Sequence, residues 1–372
     1  MDESLVKRIR SMNRNPTNKY IPMVEKQRIY TPDGSDSAWY YSHHPFITQF
    51  KGRLYAVYSS GRINEDDVGQ RIMVAAADSF NSWKVSVLVD SVVGEHCEQT
   101  LYATGIYNDG ETLTVYYTAY EYTLDTLRRN GDGSHLRPEE KVCKRVRQTP
   151  RYLQTIDGIT WSEPRYVEGN FTCGEIYCGN VSPVRLKSGK LIWPGYCSMA
   201  VSESGDPKGY WHGCFLPLAE GEVKTNSMTE SALFQHEDGT VFLLGRTDGG
   251  TSVCAASADE GKTWTDLYHT QIQDHGAKFE LGRLPDGRYY FLGNVDNRRS
   301  SLALLISENG RDFNDWYILS DVDYEQLKEG MYKGGLYGYP TSCFADGYMY
   351  IIYSLRKESV EVLRVKLSEL GC

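Results

Sequence analysis

The sequence has no long apolar run and no excess of positive charge. None of its 372 residues belongs to an apolar stretch of about 18 or more, so a membrane-spanning helix is not expected. The first residues, MDESLVKRIRSMNRN, lack the apolar segment of a signal peptide, which predicts a cytoplasmic protein. The formal net charge of −9 argues against nucleic acid or a membrane surface as a partner.

Helical patterns and paired cysteines are also scarce. Helical spacing of apolar residues occurs only in residues 1–12 and 322–330. The 9 cysteines are odd in number and scattered, which favours reduced thiols over a disulfide framework. No cofactor is expected; a structural metal involving His212 and Cys214 is the lesser alternative to plain buried thiols. The sequence is rich instead in tyrosine (28) and glycine (35). Since aromatic residues favour strands and glycine interrupts them, many short strands are expected.

A short turn motif recurs along the chain. Its clearest copy is SADEGKTW at residues 257–264, where an aspartate can accept the turn's own backbone N–H groups and Gly261 can take a positive φ. Related copies are AADSFNSW, TIDGITW and SENGRDFNDW. The aromatic residues of three turns are expected to be buried as anchors against the sheets: Trp83, Trp161 and Trp264.

A second repeat couples a glycine-containing turn to an alternating, aromatic-rich strand. Its copies are KGRLYAVYSS, DGETLTVYYTAY, SGKLIWPGY, DGTVFLLGR, DGRYYFLGN and DGYMYIIYS. Four-stranded units of about 50 residues fit the blades of a β-propeller. We therefore predict an N-terminal extension over residues 1–24 and a single all-β, six-bladed β-propeller over residues 25–372. The interval 109–188 leaves room for a seventh blade.

Residues 124–147, LDTLRRNGDGSHLRPEEKVCKRVR, form a polar and basic insertion. One interpretation is a solvated loop. The other is a lid whose arginines and lysines attract an anionic substrate to an acidic protein.

The turn motifs resemble those of the sialidase superfamily, and the resemblance covers about residues 40–357. Sialidases bind a sugar carboxylate with three arginines, use an aspartate as acid/base and a Tyr–Glu pair as nucleophile. The segment TESALFQHEDGTVFLLGR resembles the one that supplies the glutamate and the second arginine, which implies Glu230 and Arg246. The segment NRRSSLALLISENG resembles the third-arginine segment and implies Arg299 or Arg298.

Two further segments extend the resemblance. YGYPTSCFADGYMYIIYS resembles the nucleophile segment and implies Tyr339, while SSGRINEDDVGQ resembles the acid/base segment and implies Asp66 or Asp67. Glu230 and Arg246 also have a purely structural interpretation, an ion pair between strands.

The first arginine of sialidases is missing. YSHHPFI places His43 and His44 where that guanidinium would stand, and an imidazole does not reproduce a bidentate clamp. This pattern resembles propellers that act on uronate glycosides, the ulvan lyases, rhamnosyl-glucuronate lyases and related rhamnosidases, which pair histidine with tyrosine or a second histidine for proton transfer. Where their second histidine is expected, this chain has Arg62 or Asn64. His96 in GEHCEQ is a further candidate.

Strand alternation predicts that the rings of His43 and His44 point to opposite faces, so only one would face a central cavity. A hydrogen-bonded structural histidine is the alternative for this pair.

The resemblance implies an enzyme acting on an acidic oligosaccharide, its expected partner. In a β-elimination, Arg246 and Arg299 would neutralise a uronate carboxylate, His43 or His44 would take a proton, and Tyr339 would protonate the leaving group or share the base role. A sialidase-like or rhamnosidase-like exo-hydrolase is the first alternative. A non-catalytic glycan-binding propeller is the second, since one fold hosts many functions.

Overall fold

The computed structural model describes residues 3–65, 67–92, 97–123, 145–170, 181–195, 198–216, 228–247 and 250–372. Strands account for most of this part of the chain. Its helical segments include the α-helix Glu3–Ser11 (α1) and a 3-10 helix at Leu367–Leu370. Within the described ranges, no helix is long and apolar enough to cross a membrane.

Each copy of the turn-and-strand repeat forms the second strand of one four-stranded unit. In DGRYYFLGN, Gly287 takes a φ of +95° and Asp286 accepts the backbone N–H of Arg288 at 3.0 Å. The chain then enters a strand whose six residues are all buried. The turn chemistry and the apolar run therefore act together to start this strand.

Packing divides the chain into two compact units. Unit 2 comprises residues 25–167 and 323–364, and three sheets belong mainly to it, with strand orders β3-β4-β5-β6, β10-β9-β8-β7 and β2-β25-β24-β23. Their strands are β2 (Val24–Tyr30), β3 (Tyr41–Phe50), β4 (Arg53–Gly61), β5 (Arg71–Ala77), β6 (Lys84–Val89), β7 (Cys97–Asn108), β8 (Leu113–Thr123), β9 (Arg145–Thr155), β10 (Arg165–Tyr166), β23 (Tyr337–Ala345), β24 (Tyr348–Leu355) and β25 (Ser359–Lys366).

Unit 1 comprises residues 1–24, 168–322 and 365–372. Its sheets have the orders β11-β12-β13-β14, β15-β16-β17-β18 and β1-β22-β21-β20-β19, in which β1 pairs with β22 in parallel. Their strands are β1 (Asn18–Tyr20), β11 (Val184–Arg185), β12 (Leu191–Pro194), β13 (Ser198–Ser202), β14 (His212–Phe215), β15 (Ser231–Gln235), β16 (Val241–Gly245), β17 (Thr251–Ser257), β18 (Tyr268–Gln273), β19 (Glu280–Arg283), β20 (Tyr289–Asn294), β21 (Leu302–Ser307) and β22 (Asp315–Ser320).

The six sheets are the blades of a six-bladed β-propeller, so the predicted fold class is confirmed. The interval that left room for a seventh blade contributes strands β8 to β10 to one sheet. Helix α1 packs on strands β17 and β18. Its buried residues Leu5 and Ile9 join a core of unit 1 that includes Phe234 and Phe291.

The turns at Asp259 and Asp157 form as predicted. Asp259 accepts the backbone N–H of Thr263 at 2.9 Å and the hydroxyl of Ser257 at 2.8 Å. Asp157 accepts the backbone N–H of Ile159 at 2.8 Å. This bond and its neighbours hold the pKa of the Asp157 carboxyl below its ordinary value, because they stabilise the ionised form.

Two local predictions need correction. Trp83, Trp161 and Trp264 are half-buried rather than fully buried, and each packs at the edge of a core cluster. Residues 322–330 do not form a helix. The backbone N–H groups of Leu327 and Lys328 donate to the buried carboxylate of Glu358 at 2.8 and 2.9 Å, so a long-range side chain replaces the bonds that a helical turn would make.

Candidate functional site

A β-bulge in strand β3 brings two adjacent histidines onto the same side of the sheet. His43 pairs with Ser59 and Phe46 with Val57, with a register shift between them. His44 takes a φ of +54°, a left-handed conformation that is unusual outside glycine. The two imidazole centroids are 4.5 Å apart. The predicted alternation of these rings is therefore wrong, because the bulge interrupts the two-residue period of the strand.

Strand β23 has a similar β-bulge, with a left-handed residue, at Tyr339. Its pairing with β24 shifts between Gly338 and Thr341, and Tyr339 has a φ of +50°. Both left-handed residues stand before a proline, in the sequences HHPF and GYPT. Such strained backbone persists only where the surrounding structure enforces it, and it often marks functional sites.

The two bulges place Tyr339 against both histidines. Its ring centroid lies 4.2 Å from that of His43 and 5.6 Å from that of His44. All three residues are buried, with 0, 2 and 5% exposure for His43, His44 and Tyr339. The structure thus brings together the predicted proton-transfer residues of unit 2.

Two serines bind the Nδ1 atoms of the imidazoles. Nδ1 of His43 lies 2.7 Å from Oγ of Ser354 on strand β24, and Nδ1 of His44 lies 3.2 Å from Oγ of Ser59 on strand β4. Hydrogen bonds of this kind fix the ring orientation and the tautomer of a histidine. Neither serine stands out in the sequence, because each lies inside a strand of alternating residues.

Glu65 lies beside His44, although its neighbours Asp66 and Asp67 were the predicted site residues. Its Oε1 accepts the hydroxyl of Tyr41 at 3.3 Å and lies 3.8 Å from Nε2 of His44. Its Oε2 accepts the ammonium of Lys357 at 2.6 Å. The acidic run NEDD was the available signal, but the run alone does not show which carboxylate faces the histidines.

Two predicted site residues of unit 2 make local structural contacts. The buried carboxylate of Asp67 accepts the backbone N–H of Asn64 at 2.9 Å, which closes the loop that carries Glu65. Arg62 donates to the carbonyls of Asp36 and Ala38 at 2.8 and 3.0 Å. These bonds hold the loop before strand β3.

Several predictions lie outside the described residues. They are Asp66, His96 and most of the proposed lid, residues 124–144.

Unit 1 contains a second charged cluster at the starts of strands β15 and β19. The guanidinium of Arg246 donates to Oε2 of Glu230 at 2.7 Å, which is the ion pair of the structural interpretation. The Glu230 side chain is 2% exposed and that of Arg246 19%. The sequence motifs do not single out Lys278, whose ammonium interacts electrostatically with Glu280 and Glu230.

Lys278 is fully buried beside these carboxylates. Burial lowers the pKa of its ammonium from about 10.5 to about 8, against the opposing effects of Glu280 and Glu230. Desolvation disfavours the charged form of a lysine, while a neighbouring carboxylate favours it. Its signal in the sequence is weak, since it is one lysine before a short strand.

The two candidates for a third arginine differ. Arg299 has a φ of +53° and donates to the carbonyl oxygen of Gly276, whereas Arg298 is exposed. Arg299 is therefore the one whose guanidinium is bonded to the backbone, and it belongs to the same unit as Arg246 and Lys278.

The tyrosine, histidine, arginine and glutamate side chains of these clusters suit proton transfer, carboxylate binding or metal binding. A tyrosine packed against imidazoles can exchange protons with a substrate, and guanidinium groups bind carboxylates. The donor atoms of His43, His44 and Glu65 also lie within 4.8 Å of one another, a set that suits zinc. A metal ion there would have to compete with the ammonium of Lys357 for Glu65.

Comparisons with known proteins agree with this architecture. A family model described as a BNR repeat-like domain matches residues 52–351. Trypanosoma rangeli sialidase in complex with the inhibitor DANA is 15% identical, with a TM-score of 0.65, covering 95% of this chain and 61% of that chain. The present chain therefore spans less than two thirds of that sialidase.

Two other solved structures are similar. A mutant of NanB sialidase from Streptococcus pneumoniae is 12% identical, with a TM-score of 0.63, over 92% of this chain and 71% of that one. A protein of unknown function from Dyadobacter fermentans is 15% identical, with a TM-score of 0.62, over 93% and 100%. A search of curated proteins found no match. At these identities the similarity shows the fold and leaves the chemistry to the site.

Proposed function

Because the chain belongs to the family of BNR repeat-like domains, we propose that it is a carbohydrate-active enzyme that cleaves an acidic, uronate-type oligosaccharide by β-elimination. The contact of Tyr339 with His43 and His44 carries this proposal. A phenol and an imidazole packed together provide both a proton donor and a proton acceptor.

The acidic substrate class is supported by the resemblance of the segments that carry Arg246 and Arg299 to carboxylate-binding ones. A uronate sugar carries such a carboxylate. Binding it with positive charge makes the proton on the adjacent ring carbon more acidic, because the negative charge that develops on the carboxylate is stabilised.

The proposed reaction balances without a cofactor. A base removes the proton from the carbon next to the carboxylate, and the released electron pair forms a carbon–carbon double bond as the bond to the glycosidic oxygen breaks. That oxygen then takes a proton from an acid. A histidine serves as the base and Tyr339 as the acid.

The test is incubation of the purified protein with uronate-containing oligosaccharides while ultraviolet absorbance and reducing ends are both recorded. Elimination creates a double bond conjugated to the carboxylate, so absorbance and reducing ends should rise together. The Tyr339→Phe variant should lose both signals, and Tyr332→Phe, which alters an exposed tyrosine, should keep both. No double bond with any uronate substrate would overturn the lyase proposal.

A sialidase-like or rhamnosidase-like hydrolase is the second candidate. The Glu230–Arg246 segment and the Tyr339 segment each resemble segments of sialidases, in which a tyrosine is the nucleophile. Reducing ends without new ultraviolet absorbance would favour this candidate. Glycan binding with no turnover would instead favour a binding propeller.

A further inference from the structure

We propose that His43, rather than His44, is the proton acceptor of the site, and that Ser354 and Ser59 are positioning residues that hold the two imidazoles in opposite tautomers. The role in turnover rests on the proposed function. The tautomers themselves follow from hydrogen bonds.

The bonds of Ser354 assign the tautomer of His43. The hydroxyl of Ser354 donates to the carbonyl oxygen of Gly338 at 3.3 Å, and its oxygen lies 2.7 Å from Nδ1 of His43. A hydroxyl has one proton to donate. Both contacts are hydrogen bonds only if Nδ1 of His43 carries the proton and donates it to Ser354. The lone pair of the neutral ring is then on Nε2, where a proton can be accepted.

The bonds of Ser59 assign the other tautomer to His44. Oγ of Ser59 accepts the backbone N–H of Ala103 at 2.9 Å, and its second contact is Nδ1 of His44 at 3.2 Å. Of these two contacts only Nδ1 can accept a proton, so the hydroxyl proton of Ser59 is directed to Nδ1. This places the ring proton of neutral His44 on Nε2.

The carboxylate beside His44 supports this assignment. Nε2 of His44 lies 3.8 Å from Oε1 of Glu65, so an N–H there points towards negative charge. The carboxylate is held by Lys357, and the side chains of this pair are only 15 and 8% exposed. His44 therefore acts as an N–H donor to the Glu65 carboxylate. Its proton stays on Nε2, because a neutral imidazole does not readily give up its last proton.

These tautomers specify the proton path of the proposed elimination. The proton from the carbon next to the carboxylate ends on Nε2 of His43, and the leaving oxygen receives the phenolic proton of Tyr339. Return of the proton from His43 to Tyr339, whose rings are 4.2 Å apart, restores both groups. No external acid, base or oxidant is needed.

Nuclear magnetic resonance of the full chain, with isotopically labelled histidine nitrogens, tests the tautomers without any substrate. Spectra are recorded above the titration range of the imidazoles, and signals are assigned with the His43→Gln and His44→Gln variants. We expect a protonated Nδ1 in His43 and a protonated Nε2 in His44. A protonated Nε2 in wild-type His43 would overturn the proposal, whatever the enzyme does with sugars.

Serine variants link the tautomers to turnover. Ser354→Ala should convert His43 partly to the other tautomer and lower kcat about tenfold or more with little change in KM, and Ser354→Thr should restore both. Ser59→Ala should alter His44 and leave the tautomer of His43 in place. Ser60→Ala, on the opposite face of the same strand, is the matched control for both readouts.

The outcomes separate the two proposals. An unchanged His43 signal in Ser354→Ala would exclude Ser354 as a positioning residue. The protein could also show the expected tautomers but form no double bond with any uronate. That result would support the tautomer assignment of His43 and exclude only the lyase reaction.

Discussion

His43 and Tyr339 lie with their ring centroids 4.2 Å apart, although they belong to β3 and β23, strands near opposite ends of the chain. The contact depends on a bulge in each strand. Without these bulges each side chain would follow the regular alternation of its strand. The two β-bulges therefore bring the rings of His43 and Tyr339 together at the centre of the proposed site.

Tyr339→Phe should lower kcat about 10²- to 10⁴-fold, the range that a positioned proton-transfer group contributes. The aromatic ring that packs on the histidines is kept, so the thermal melting temperature should change little. Turnover assays and a melt of the same preparation check this together. Wild-type turnover in the variant would remove Tyr339 from the chemistry.

Gly338→Ala should displace His43. A Cβ at this position would lie 2.8 Å from Cε1 of His43 and 2.6 Å from Oγ of Ser354. Overpacking of a dense interior typically costs about 1–3 kcal/mol, and activity should fall with the displaced ring. Chemical denaturation and turnover measure the two effects. Gly334→Ala is the matched control, since its Cβ would meet nothing within 4 Å.

Arg246→Ala should reduce stability as well as turnover. The arginine is the ion-pair partner of Glu230, whose side chain is 2% exposed. Removing one partner of a buried pair costs about 3–5 kcal/mol, and the neighbouring Lys278 ammonium should keep the loss at the lower end of this range. Urea denaturation checks the loss. Arg311→Ala breaks the pair of an exposed arginine with Asp312 and should cost less than about 1 kcal/mol. Equal losses would contradict the buried role of Glu230.

The buried ammonium of Lys278 should make stability depend on pH. Its pKa is lowered to about 8 in the folded protein, so above that pH the unfolded chain binds a proton that the folded chain does not. The contribution of this group to the free energy of unfolding therefore rises from about pH 8 to about pH 10.5. The stability of the wild type relative to Lys278→Met should increase over that window.

Denaturation curves at several pH values measure this difference. Lys262→Met, at an exposed lysine, should show no such trend relative to the wild type. Parallel curves for the wild type and Lys278→Met would mean that Lys278 keeps its proton over the whole window.

Trp264→Ala should destabilise the protein by about 1–3 kcal/mol. This is less than the roughly 3–5 kcal/mol that truncation of a fully buried Phe or Trp costs. The indole is half-buried and donates to the carbonyl oxygen of Gly261 at 3.0 Å. Phe313→Ala, at the equivalent turn of another blade, should cost more because Phe313 is fully buried. Thermal melts of both variants give the order, and the reverse order would contradict the two burial states.

The sequence by itself determined the blades. In copies such as DGRYYFLGN and DGTVFLLGR, a glycine turn followed by an alternating or apolar run forms a strand wherever it occurs, because turn conformation and strand burial are set by residues close together in the chain. The aspartate turns at Asp157 and Asp259 are local in the same way. The resemblance to sialidases also pointed to Tyr339 and the Glu230–Arg246 segment, and the resemblance to uronate-acting propellers pointed to His43 and His44.

Only the tertiary structure decided how the site residues are arranged. The bulge at His44, the role of Glu65 in place of its acidic neighbours, and the serines behind the two imidazoles each depend on contacts between strands that are distant in sequence. Burial of Lys278 likewise depends on the packing around the start of strand β19. Side-chain periodicity specifies which residues face a core, but desolvation and hydrogen bonding depend on which strands meet there, and that is fixed by the packed sheets.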